Sequence, residues 1–364
     1  MLTHNKSIRS GRPLLISLLL GVLTFSVDFV YAQSNSVQDS TSYFTNPVGK
    51  GADPWIIKDN NSYYSIFSVN NPKDGNFIAV SKSAALTKIG SRKKVWTPPA
   101  NAWNSKCLWA PELHRLGDKW YIYYTAGKSG PPYIYQRSGV LESVSSDPQG
   151  DYTDKGMLIT GDDPQDDSKT IWAIDLTVTE INNELYAVWS GWEKNSDTDK
   201  TSQHLYIAKM SNPWTISSER VKISSPVEPW EIGGPLNLNE GPQFLKNNKD
   251  VFIIYSARES WTPEYRLGQL KLKQGSNPLL LSSWTKSGPV FQGTDKVLGT
   301  GHASFTTSPD DKEHWIFYHS KVGKEPGWNR DLRLQQFFWD KQGNPQFGKP
   351  IPAGEKIKKP SGEK

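Results

Sequence analysis

The sequence predicts an all-β fold, a five-bladed β-propeller with four-stranded blades. Three observations predict it. First, five stretches share one plan, and their openings are Ala52-Asp53-Pro54-Trp55, Trp109-Ala110-Pro111-Glu112, Ala173-Ile174-Asp175-Leu176, Asn239-Glu240-Gly241-Pro242 and Gly301-His302-Ala303-Ser304. With Asp53, Glu112, Asp175, Glu240 and His302 as markers, the successive offsets are 59, 63, 65 and 62 residues. A near-constant period of this size is one supersecondary unit used five times. Second, each opening leads through a polar turn into an aromatic, β-branched run. Third, no convincing long amphipathic helix appears, and proline is spread along the chain.

The blade elements follow in order. Second strands read at Ser62-Tyr63-Tyr64-Ser65-Ile66-Phe67, Lys119-Trp120-Tyr121-Ile122-Tyr123-Tyr124, Leu185-Tyr186-Ala187-Val188-Trp189, Asp250-Val251-Phe252-Ile253-Ile254-Tyr255 and His314-Trp315-Ile316-Phe317-Tyr318. The turns before them hold Asn60-Asn61, Gly117-Asp118, Asn182-Asn183, Asn247-Asn248 and Asp310-Asp311. Asn, Asp and Gly tolerate the positive φ of a tight hairpin. Third strands read at residues 76–80, 137–141, 204–208, 265–270 and 332–337. Weaker fourth strands centre near Val95, Met157, Val221, Val290 and Pro350. A β-helix needs much shorter repeats, and a sandwich leaves the matched openings unexplained. The Lys-rich tail from Gly354 reads as a fraying end.

Residues 1–32 read as a signal peptide. Lys6, Arg9 and Arg12 precede an uncharged apolar stretch from Leu14 to Val27, and Val30-Tyr31-Ala32 gives the small-x-small pattern of a cleavage site. The apolar run is short for a membrane span. Residues 33–364 then form a single propeller domain, a secreted or periplasmic monomer with no membrane attachment after cleavage. The whole chain carries a formal charge of +5, and losing Lys6, Arg9, Arg12 and Asp28 leaves +3. That balance, without a Lys/Arg cluster interleaved with aromatics, argues against a nucleic-acid partner. The lone Cys107 excludes an internal disulfide. Fifteen Trp and fifteen Tyr suit both β-strands and sugar-binding surfaces.

In a propeller the first strand of each blade lines the central channel, so the openings converge. Buried acids in such a place are expensive without partners or a task. Neighbouring carboxyls push their pKa values apart, so one stays protonated while another ionises. An acid and a base working at one pH is what glycoside hydrolysis requires. Among the other candidates, Trp109 and Trp55 read as sugar-ring platforms, and Glu112 and His302 as channel-lining residues within reach of substrate. Arg333 reads as a guanidinium for sugar hydroxyls, with Arg330 as a surface charge. His314 and His319 lie five apart in one strand, face opposite sides and cannot share a metal.

Taken together, Gly51-Ala52-Asp53-Pro54-Trp55, Trp109-Ala110-Pro111-Glu112, Ile174-Asp175 with Thr177, Glu240-Gly241-Pro242 and Gly301-His302 with Ser304 resemble glycoside hydrolase family 43. The ending Phe347-Gly348-Lys349-Pro350 is also similar to that family, and the resemblance spans roughly residues 46–353. Leu176 stands where many relatives have glycine. The resemblance implies an inverting enzyme on arabinose- or xylose-containing plant polysaccharides, with Asp53 as general base, Glu240 as general acid and Asp175 as the third carboxylate. Within that family the expected activity is an exo-acting α-L-arabinofuranosidase on arabinan or arabinoxylan. The alternatives are a β-xylosidase, an endo-arabinanase or a non-catalytic sugar-binding propeller. No cofactor is implied. A calcium or other ion in the axial channel, at His302, is the one metal site the resemblance allows.

Overall fold

The computed structural model describes residues 42–68 and 76–364; the expected signal peptide lies outside them. Five antiparallel sheets follow one another along the chain. The first blade has strands Ala52–Asp59, Ser62–Ser68, Ile78–Ser83 and Ser91–Trp96. The second has Lys106–Leu116, Lys119–Gly127, Arg137–Ser143 and Tyr152–Met157. The third has Ala173–Ile181, Glu184–Gly191 and His204–Asn212, with the short Thr215–Ile216 and Val221–Ser224 both on its outer side. The fourth has Asn239–Asn247, Asp250–Ala257, Arg266–Leu272 and Trp284–Gln292. The fifth has Leu298–Thr307, His314–Lys321 and Arg330–Trp339. The first strands of neighbouring blades touch all round the ring, the fifth against the first.

The fifth blade takes its fourth strand from the other end of the chain. Gly49–Lys50 pairs with Leu332 and Asp331, not a segment near Pro350. The strand at Pro345–Gln346 pairs further along, with Phe338 and Trp339. A ring closed by mixing its two chain ends cannot unroll without breaking that pairing, which is why local sequence near Pro350 was the wrong place to look. The tail is not frayed either. Ile357–Lys358 pairs with Tyr43–Phe44, and Ile357 is buried.

Strands apolar on both faces follow from this architecture, because each blade packs against two neighbours. Five clusters fill the five seams. Ile66, Ile78 and Val80 meet Leu113, Ile122 and Leu141 between the first two blades, and Tyr63 and Phe67 meet Trp315, Phe317 and Leu334 where the last blade meets the first. Each large side chain so buried contributes roughly 1.5–3 kcal/mol. The hairpin turns behave as the sequence predicts: Asn60, Gly117, Asn182, Asn183, Asn248 and Asp311 all have positive φ.

Candidate active site

Each first strand slips by one residue against its second strand, at the same place in every blade. The breaks fall between Ala52 and Trp55, Trp109 and Glu112, Ile174 and Thr177, Glu240 and Gln243, and Gly301 and Ser304. Such a bulge sets two residues against one and re-aims a side chain. Its first residue has φ of 53° at Asp53, 41° at Ala110, 56° at Asp175, 53° at Gly241 and 45° at His302. Only glycine takes that conformation freely; other residues cost of order 1–3 kcal/mol there and cluster at functional sites. A Cβ on Gly241 would also come to 3.0 Å from the His302 ring.

The bulge corrects the repeat register read from the sequence. Ala110 and Gly241 are the counterparts of Asp53, Asp175 and His302. Glu240 sits one residue before its bulge position and Glu112 two after. The acids drew the eye, but the backbone kink is the true repeat.

The bulge amides are tied to the preceding blade's second strand. Ala110 N donates to Ser68 Oγ at 2.8 Å, Asp175 N to Thr125 Oγ1 at 3.0 Å, and His302 N to Ser256 Oγ at 2.8 Å. Where the ring closes, Asp53 N donates to His319 Nδ1 at 3.0 Å. The fourth blade differs: Gly241 N donates to Asp175 Oδ2 at 3.0 Å. The carboxylate of the third blade is thereby anchored to the residue that follows Glu240. Ser190, free of that amide, donates instead to the Asn239 carbonyl at 2.9 Å.

Three acids with different electrostatics result. Burial pushes Asp53 up, but the Arg330 guanidinium, whose Nη1 is 3.0 Å from Oδ1, overrides it and holds the carboxyl well below the usual range. His302 Nδ1 and His319 Nδ1 each lie 3.4 Å from the same oxygen. Burial raises Asp175 to about 6, with the negative Asp53 adding to the rise and His302 opposing it. Burial and then the negative Asp175 push Glu240 well above the carboxylate range. One acid is thus set to be ionised and another to carry a proton at the same pH. Tyr265, fully buried, has its hydroxyl beside Glu240 and Ser256.

One pleat deeper lies a second ring of residues: Trp55, Glu112, Thr177, Gln243 and Ser304. Glu112 is 1% exposed. Its Oε1 accepts from Gln243 Nε2, and its Oε2 is 2.8 Å from His114 Nε2. Burial raises Glu112 well above its ordinary range and lowers His114 to about 3, so both are neutral. Trp55 packs on His114 at 4.2 Å between ring centroids, and its Nε1 donates to the Leu113 carbonyl at 2.6 Å. These contacts make Trp55 and Glu112 wall residues of the channel rather than partners of the three acids.

Trp109 is half-buried at the rim, edge-on to Tyr133 at 4.9 Å, beside the stacked Trp172 and Trp192. Arg333 is not at the acids. Its Nε donates to Ser320 Oγ at 2.5 Å and its Nη1 to the Ile351 carbonyl at 3.0 Å. Arg330, read from sequence as a surface charge, is buried, with its Nη1 3.0 Å from Asp53 Oδ1. Strand alternation decides between them: residues 330 and 333 are an odd number apart and face opposite ways. Arg330 also lines a cavity of about 400 Å³ with Lys50, Gly51, Ser68, Asn329 and the exposed Trp328.

For a metal, His302 offers one imidazole, and the nearest acid oxygen, on Asp53, is already shared with Arg330. Calcium takes six to eight oxygens, so these side chains do not fit a directly ligated ion. Among the described residues, no three His, Cys, Asp or Glu side chains gather as a metal site. No helix among them is long and apolar enough to cross a membrane. Sequence reading missed Arg330, His319, Tyr265 and Ser68. The signal for Ser68 and His319 was there, in the polar side chain at or near the end of every second strand.

Comparison with known proteins adds an independent line. The profile of Glycosyl hydrolases family 43 matches residues 44–345. The chain is 34% identical to the extracellular exo-α-(1→5)-L-arabinofuranosidase of Streptomyces avermitilis over 85% of its length, and 33% identical to α-L-arabinofuranosidase B of Pyricularia oryzae over 86%. It spans 64% of each of these relatives, less than two thirds of their length. Among solved structures, the α-L-arabinofuranosidase from Lactobacillus brevis superposes with a TM-score of 0.76 at 30% identity, covering 86% of this chain and 98% of that one.

Proposed function

The chain belongs to glycosyl hydrolase family 43, and from that premise we propose that it is a secreted, inverting, exo-acting α-L-arabinofuranosidase that removes arabinofuranose from arabinan or arabinoxylan. The observation that carries the reading is the opposed ionisation of two acids at one ring of bulges, Asp53 held low and Glu240 held high. Asp53, ionised beside Arg330, takes a proton from water as the water oxygen bonds to the anomeric carbon. Glu240 gives its proton to the glycosidic oxygen as the carbon–oxygen bond breaks. Asp175 holds the backbone next to Glu240 through Gly241 N and keeps the acid protonated by its negative charge. Water needs room between base and sugar, so the two carboxyls are expected on the order of 6.5–9.5 Å apart.

The named relatives support arabinofuranose as the sugar removed and the extracellular side as the place of work. Incubation with an aryl α-L-arabinofuranoside, an aryl β-D-xyloside and linear arabinan, with products followed by NMR, tests the reading. Arabinose released as the inverted anomer from the first and third substrates is expected. Preferential release of xylose, oligosaccharides from linear arabinan, a retained anomer or no turnover each contradicts it.

A further inference from the structure

We propose that the stacked rings of Tyr265 and His319 are a rigid spacer that sets the acid Glu240 against the base Asp53; the proposal rests on the roles given to those two acids above. Opposite the residue before the bulge, the second strands of the first four blades carry a hydroxyl side chain, Ser68, Thr125, Ser190 and Ser256, and the fifth carries an imidazole, His319. His319 Nδ1 accepts from Asp53 N at 3.0 Å, so it carries no proton and the ring is neutral with its hydrogen on Nε2. Nε2 is buried without a hydrogen-bond partner. A serine would serve the backbone amide as it does in two other blades. What the imidazole adds is a flat face.

That face lies on the Tyr265 ring, with centroids 5.3 Å apart and planes 4° from parallel. Both side chains are fully buried. The Tyr265 hydroxyl, buried like His319 Nε2 without a hydrogen-bond partner, lies on the side of the Glu240 carboxyl. Gly301 makes room for the plate, since a Cβ there would come within 2.3 Å of the Tyr265 ring. The line Glu240, Tyr265, His319, Asp53 therefore crosses the fifth blade and joins the two reacting groups through close-packed aromatic rings. Interiors packed to this density transmit displacement rather than absorb it, and a misplacement of about 1 Å can cost ~10²-fold in rate. Tyr265 and His319 are positioning residues, and each end of the plate serves one acid.

The two ends give different kinetic signatures. Protonation of the leaving oxygen matters for a sugar leaving group and little for an activated aryl one. Tyr265→Phe keeps the stack and loses the hydroxyl, so it should lower kcat on an arabino-oligosaccharide by about 10–10²-fold and on an aryl α-L-arabinofuranoside by less than about threefold. His319→Ser keeps an acceptor for Asp53 N and removes the plate, so kcat should fall by about 10²-fold on both substrates with KM little changed. Near-wild-type kcat in either variant, or a loss in Tyr265→Phe that ignores the leaving group, overturns the spacer. If His319→Ser does not fold, Tyr265→Leu, which removes the other ring of the plate, is read in its place, with a fall in kcat on both substrates expected and near-wild-type kcat overturning the spacer. Turnover of neither substrate by the unsubstituted protein would instead overturn the functional reading itself, and the spacer with it.

Discussion

Glu240 and Glu112 are both buried glutamates on inner strands, both pushed far above the carboxylate range by desolvation, and yet their surroundings differ. Glu240 stands one residue before a bulge, faces Asp175 and Asp53, and has a tyrosine hydroxyl beside it. Glu112 stands two residues after one, with both oxygens engaged by Gln243 and His114 in a closed layer. A raised pKa is therefore no mark of a reacting acid. What separates the two is three positions of register on the same kind of strand, which decides whether the proton faces other carboxyls or a closed hydrogen-bond ring.

Substitution with the neutral isostere should split the pair most widely. Glu240→Gln is expected to lose about 10²–10⁴-fold in kcat on an oligosaccharide while folding normally. Glu112→Gln should stay within about threefold, since its amide can accept from Gln243 and donate to His114. Comparable losses in both would break the contrast. Stability should reverse the ranking: Glu112→Leu orphans the Gln243 amide and the His114 ring, at roughly 1–3 kcal/mol each, so its Tm should fall well below that of Glu240→Leu. A Tm at or above the unsubstituted value would show that the deeper ring is not structural.

A smaller effect sits on Asp175. Its pKa rises from 3.8 unfolded to about 6 folded, so the folded state binds the extra proton. Its stabilising contribution is complete below pH 3.8 and is lost as pH rises through 6. The stability difference between Asp175→Asn and the unsubstituted protein, followed as Tm, should therefore move in the variant's favour across that window, by up to about 3 kcal/mol. A difference that is flat with pH would contradict the assigned shift.

Much of the fold was legible because a propeller writes its period into turns and aromatic runs. The Asn60, Gly117 and Asn183 turns and the second strands lie where local chemistry puts them. The closing strand at Gly49–Lys50 was not legible, since nothing local says that residue 49 will pair with residue 332. In the site, Asp53, Asp175 and Glu240 stood out as acids in the repeated openings. Arg330 and Arg333 could be told apart only by knowing which face of their strand looks inward. Tyr265 and His319 looked like ordinary strand aromatics, and their roles emerge only from the way blades four, five and one meet.

The most direct measurement is a crystal structure of the Glu240→Gln variant soaked with an arabino-oligosaccharide. The account predicts one terminal furanose between residues 53 and 240, its glycosidic oxygen within hydrogen-bond reach of residue 240, Asp175 beside it and Glu112 untouched. A sugar bound elsewhere on the ring, or one that meets Glu112 and not Asp53, would contradict it.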